Sequence, residues 1–107
     1  MSYHDKIGLF FSYSSKREFN VKLKLLLVFL KENRLTKYTL IAENRNVTDN
    51  KDVPIKRLLQ EGINTLVIVE ELDITINRNI SLEEFRDLLA KYDIKLKCLE
   101  GEKNGVV

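Results

Sequence analysis

Thiols are nearly missing from this chain: Cys98 is the one cysteine in 107 residues. A lone cysteine excludes a disulfide framework within the chain and fits a reducing compartment. Tryptophan is absent, His4 is the single histidine and Pro54 the single proline. One His and one Cys cannot assemble a Cys/His zinc site, and any Ser-His-Asp or Cys-His arrangement would have to recruit His4. Glycine-rich phosphate cradles are missing too. Neither G-x-G-x-x-G nor G-x-x-x-x-G-K-[ST] occurs, which weighs against a nucleotide-binding enzyme, and Gly8 stands alone inside an apolar run. The longest apolar run, Leu25 to Leu30, is bounded by Lys24 and Lys31 and falls well short of the roughly 18 residues of a membrane span. The opening Met1-Ser2-Tyr3-His4-Asp5 lacks the basic-then-apolar pattern of a secretory signal. Charge of one sign is also lacking. Eighteen Lys+Arg face 16 Asp+Glu for a net +2, so binding to nucleic acid or membrane would need a local patch rather than an overall field. These absences predict a soluble, cytoplasmic protein, and 107 residues fit one domain over residues 1–107, with residues 101–107 as a frayed tail.

What is present is a regular alternation of short apolar runs and amphipathic stretches. Lys6 to Ser12 reads as a strand buried on both faces. Ser15 and Glu18 have the S-x-x-E spacing of a capping box. The helix that follows carries Phe19, Leu23, Leu26, Leu27 and Leu30 at helical spacing as far as Asn33, with Val21, Leu25, Val28 and Phe29 widening the stripe. So broad a stripe predicts a helix covered on more than one side. Tyr38 to Glu43 reads as a second strand, and the polar stretch Asn44 to Asp52 as a surface loop. Asp52 ahead of Pro54 opens a helix with Ile55, Leu58 and Leu59 on its buried face, ended by Gly62. Thr65 to Val69 is a β-branched, uncharged run suited to a central strand. Ser81 and Glu84 form a second capping-box pair ahead of Leu82, Phe85, Leu88 and Leu89. Finally Ile94 to Leu99 alternates, with Lys95 and Lys97 opposite Ile94, Leu96 and Cys98. Outward lysines mark an edge strand, and Cys98 reads as a small core residue. The order β-α-β-α-β-α-β predicts an α/β fold: a small three-layer parallel sheet with helices on both faces and right-handed crossovers.

In an open parallel sheet ligands bind beyond the carboxyl ends of the strands. Those ends supply Tyr13, Ser14 and Ser15, then Glu43, then Glu70, Glu71 and Asp73, and last Glu100, with no Lys or Arg at the strand ends themselves. Glu43 with Glu70, Glu71 or Asp73 could hold a divalent ion through hard oxygen ligands. The simpler reading, which we prefer because no spacing is diagnostic, is that the strands end in solvent, and no cofactor or metal is expected. Ser14, between a strand end and a helix N-terminus, is placed as a nucleophile or anion-binding group could be, although turn and cap roles already account for Ser14 and Ser15.

Three segments resemble the N-terminal catalytic domain of serine recombinases, the resolvase/invertase family. Ile7 to Ser15 (IGLFFSYSS) resembles that family's opening strand I-G-Y-A-R-V-S-T. Val53 to Asp73 (VPIKRLLQEGINTLVIVEELD) resembles R-P-G-L-x-x-L-L, a glycine-bearing turn, a hydrophobic strand and L-D-R-L-S-R. Ala90 to Gly101 (AKYDIKLKCLEG) resembles the closing strand and its acidic turn. The resemblance covers nearly the whole chain and implies a resolvase-like domain with flavodoxin-like strand order. In an active family member a serine attacks a DNA phosphodiester among arginines that neutralise the transition state. Here the departures carry the message. Without a gap the family's serine falls on Tyr13, and Ser14 reaches it only by a one-residue slip. The opening arginine falls on Phe11, and the arginine before the second helix on Asp52, beside Lys51. Asp73 matches the aspartate of the last motif, but its arginines fall on Ile74 and Asn77, with Arg78 one step away. If the chain is active, the resemblance implies Ser14, Asp73 and Arg78 as catalytic residues, with Arg78 and Lys51 as displaced phosphate clamps. The long dimerisation helix and the DNA-binding module of the family have no counterpart in this sequence. The expectation is therefore a degenerate recombinase-like domain of a mobile element that no longer cuts DNA, binds DNA weakly at most, and works as a protein-interaction or regulatory module through a protein partner or self-association.

A second similarity runs from Phe10 to Phe19 (FFSYSSKREF), which is similar to the first box of TIR domains, F-I-S-Y-S-x-x-D. It implies a signalling or NAD-cleaving domain, and setting Ser81 to Phe85 against the later TIR segment S-x-x-C-x-x-E-[LF] would make Glu83 or Glu84 the acid. TIR domains usually have a fifth strand and more residues than this chain.

Overall fold

The computed structural model describes residues 6–46, 55–75 and 79–100. Along them run β1 (Ile7–Tyr13), α1 (Lys16–Glu32), β2 (Tyr38–Asn44), α2 (Ile55–Gln60), β3 (Thr65–Ile68), α3 (Leu72–Thr75), α4 (Leu82–Ala90) and β4 (Lys95–Cys98). The four strands form one all-parallel sheet in the order β2-β1-β3-β4. The expected α/β class with helices on both faces is what the chain adopts. The expected flavodoxin-like order 2-1-3-4-5 is not matched exactly: four strands in the order 2-1-3-4 are present among the described residues, with no fifth. A fourth, one-turn helix, α3, was not foreseen.

β1 is central and buried on both faces, with Leu9, Phe10 and Phe11 fully inaccessible. Alternate residues feed two separate cores. Phe10, with Leu66 and Ile68, joins Leu58 of α2, Ile74 of α3 and Phe85 and Leu89 of α4. Leu9 and Phe11, with Val67, meet Leu26 and Leu30 of α1. Thus α1 packs on one face of the sheet and the other three helices contribute to the opposite core. Gly8 has its reason here: a Cβ would stand 3.1 Å from Ile63 Cγ2.

This layering overturns the expectation that α1 is covered on more than one side. Its sheet-facing residues Leu26 and Leu30 are buried, but Val21, Leu25 and Val28 are 52%, 47% and 46% exposed. The other three helices all serve the opposite core, so no described helix lies outside α1 to cover that stripe.

The element ends follow their local chemistry. Ser81 and Glu84 form the full capping box, each side chain accepting from the other's backbone N–H at 3.1 Å. Glu84, an acid candidate in the TIR reading, accepts the Ser81 N–H in this cap. At α1 only half the expected box forms. Ser15 Oγ accepts from the Glu18 N–H, but the Glu18 carboxylate is drawn to Ser14, Lys22 and Arg45 instead. Gly62 follows α2 with φ +71°, the left-handed conformation that suits glycine beyond a helix end. β4 is an edge strand, its Cys98 buried and Lys97 lying over the Phe29 ring at 5.4 Å. The Asp52–Pro54 helix start and the 101–107 tail fall outside the described residues. Among those described, no helix is long and apolar enough to cross a membrane.

Candidate functional site

The polar centre of the molecule lies at the carboxyl ends of β1, β2 and β3. β1 delivers buried Ser12 and then exposed Ser14. The first turns of α1 deliver Glu18 and, one turn on, Lys22. Arg45 follows β2 directly and its N–H donates to Tyr13 O at 2.8 Å, carrying the pairing of β1 and β2 one step further. Asp73 stands in α3 just after β3, fully buried.

Asp73 is the anchor. Its Oδ2 accepts the backbone N–H groups of Val69 and Glu70 at 3.1 and 3.0 Å, fixing the turn that leaves β3. Its Oδ1 accepts the Ser12 N–H at 3.0 Å and the Lys22 ammonium at 2.6 Å. Lys22 in turn donates to Ser12 O at 2.8 Å and lies 3.0 Å from Glu70 Oε2 and 3.1 Å from Glu18 Oε2. Three carboxylates and a carbonyl therefore converge on one ammonium. Burial opposes the charge on Lys22, but Asp73 first, then Glu70 and Glu18, outweigh it and hold its pKa above the ordinary lysine value.

A more exposed tier sits above. Arg45 donates to Glu18 Oε1 at 2.6 Å, to Ser12 Oγ at 3.0 Å and to Ser14 Oγ at 3.1 Å. Glu18 Oε1 also accepts the Ser14 N–H at 2.8 Å, and the Ser14 hydroxyl lies 3.2 Å from it. Asn46 Nδ2 closes the turn onto Ser14 O at 2.8 Å. The Arg45 guanidinium, against the cost of burial and helped by the Ser14 N–H and Lys22, brings the Glu18 pKa down to about 2. The same pair raises that of Arg45. Beside this tier a cavity of about 420 Å³ opens, lined in part by Val21, Lys22, Leu25, Val69, Glu70 and Glu100.

Of the candidate residues, Ser14 and Asp73 enter one network, joined through Glu18 and Lys22 rather than directly. Arg78 and Lys51 lie outside the described residues. The expectation of no Lys or Arg at the strand ends is corrected by Arg45: β2 runs one residue further than expected, to Asn44, and Arg45 is the next residue. Lys22 was missed as well, although Phe19, Lys22, Leu26 and Leu30 lie on one helical stripe, where a charge on the sheet-facing side is itself a signal. Glu70 and Asp73, considered as ligands for a divalent ion, face Lys22 instead. Among the described residues no group of three His, Cys, Asp or Glu side chains is arranged to hold a metal.

Chemically the arrangement is self-satisfied. A serine nucleophile needs a neighbouring base of pKa near the working pH. Glu18, the carboxylate nearest the Ser14 hydroxyl, is far too acidic for that task. Set against known proteins, the chain matches no family model and no curated protein.

Proposed function

We propose that this chain is a serine-recombinase-like domain that has lost DNA strand cleavage and serves as a protein-interaction or regulatory module in the cytoplasm. The observation that carries this reading is the charge balance around Ser14. Two cations, Lys22 and Arg45, are met by three carboxylates, Glu18, Glu70 and Asp73. A phosphodiester approaching Ser14 would meet a net negative cluster, whereas phosphoryl chemistry needs unspent positive charge aimed at the phosphate oxygens. The small net charge of +2 gives no further attraction to DNA.

The test is a titration of the purified protein against single- and double-stranded DNA, with a strand-nicking assay alongside. No binding at about 50 mM salt, where phosphate contacts are strongest, and no nicking are expected. Nicking that Ser14→Ala abolishes would overturn the reading. One observation favours a second reading, an active nickase: Arg45 lies 3.1 Å from Ser14 Oγ and could turn to clamp a phosphate. That reading requires a covalent 5′-phosphoserine at Ser14 on suicide substrates.

A further inference from the structure

The outward face of α1 carries apolar residues that the packing leaves unexplained. Along it lie Arg17, Val21, Leu25, Val28 and Glu32, all exposed, the first three bordering the cavity beside the strand ends on one flank. Their spacing is four, four, three and four residues, which keeps them on one face of a helix. The opposite, sheet-facing stripe carries Leu26 and Leu30, so the exposed face is additional to what the fold needs. Leu27 of α1, 41% exposed, lies off this face, while Leu59 and Leu72 lie in α2 and α3 and Tyr92 in the turn after α4.

The face has a symmetry that selects its partner. If a second α1 is laid against it antiparallel, with the two-fold axis between Lys24 and Leu25, Val21 of one copy meets Val28 of the other. The same operation brings Arg17 of one copy to Glu32 of the other, at both ends of the seam. The two Leu25 side chains meet beside the axis. Apolar residues thus face apolar ones and each end charge faces its opposite, the self-complementarity that an isologous two-fold interface demands. A parallel pairing would instead set Arg17 against Arg17 and Glu32 against Glu32. Lys24 flanks the axis and approaches its own copy, the one unfavourable charge contact in the seam.

We propose that α1 pairs antiparallel with α1 of a second copy through Val21, Leu25 and Val28, with Arg17–Glu32 pairs at either end. This rests on the interaction-module reading above and names its partner as the chain itself. The 17 residues of α1 extend only about 25 Å, so one helix pair buries less than the roughly 1,200 Å² of a standard stable interface. A weak, concentration-dependent dimer follows.

Sedimentation equilibrium and light scattering of the full chain, from about 10 μM to 1 mM, test this. The expected result is a mass rising from 12.5 kDa towards twice that value. Val21→Glu should weaken association at least tenfold, with circular dichroism verifying the fold. Arg17→Glu and Glu32→Arg should each weaken it several-fold, the double variant should restore it, and Lys24→Ala should tighten it. Restoration by the double swap is specific to this register, because neither another partner nor pairing through the β4 edge requires it. A strict monomer at 1 mM, or a dimer indifferent to these changes, overturns the proposal. Neither result touches the loss of DNA cleavage, which the nicking assay decides separately.

Discussion

Replacing Asp73 by alanine separates two roles that one residue could hold. Were Asp73 only a remnant of catalysis, its removal would leave stability unchanged or improved. The geometry says otherwise. Asp73→Ala leaves three backbone N–H groups, of Ser12, Val69 and Glu70, without their carboxylate acceptor, and it strips from buried Lys22 its nearest counter-ion. Breaking a buried ion pair by removing one partner costs about 3–5 kcal/mol. Glu70, Glu18 and Ser12 O remain around Lys22 and temper the loss, while water can reach only part of the opened site. We therefore expect about 3–4 kcal/mol, a large share of the roughly 5–15 kcal/mol that stabilises a domain. Urea denaturation followed by circular dichroism reads this directly. With a slope of about 1.5 kcal/mol/M the midpoint falls by about 2–3 M. Lys22→Met in the Asp73→Ala background should recover part of the loss, giving a coupling of about 1–3 kcal/mol in the double-mutant cycle. A cost below about 1 kcal/mol, or strictly additive effects, would refute the assignment of Asp73 as the structural anchor.

Two further perturbations probe neighbouring parts. Because the folded-state pKa of Glu18 is depressed to about 2 from 4.5, its stabilisation is fully present above the unfolded value and is lost as pH falls through the folded one. Discounted for partial exposure, this amounts to about 1–2 kcal/mol. Glu18→Gln should therefore flatten the acid limb of stability between pH 5 and 2 in denaturation curves, and an unchanged limb would remove Glu18 from the account. Gly8→Ala should cost about 1–2 kcal/mol, since the new methyl meets Ile63 at 3.1 Å and Leu66 at 3.3 Å. A thermal midpoint equal to that of the parent would mean the two side chains yield freely.

The fold was legible because its signals are local. The apolar run of β1, the serine at the start of α1, the Ser81–Glu84 box and the alternation in β4 each report on a few adjacent residues, and each element lies where those residues place it. The site was legible only in part. Ser14 and Asp73 follow from the rule that strand ends gather ligands, but Lys22 and Arg45 matter through partners distant in sequence, 51 residues in the case of Lys22 and Asp73. Helical periodicity sets Lys22 on the sheet-facing stripe but names none of its partners, and it leaves Arg45 as loop. The breadth of the α1 stripe misled for a related reason. Periodicity reports how much of a helix is apolar, while coverage depends on which face of the sheet the other helices choose.

Lys22 is also a rivet. Its stem belongs to α1, its ammonium is fastened to β1 through Ser12 O and to the turn after β3 through Asp73. Three pieces of chain distant in sequence are therefore pinned at one atom, and α1 cannot slide along the sheet or roll upon it without lifting that pin from a water-poor seat. The outward stripe of α1 and the polar rim at the strand ends thus share one fastening.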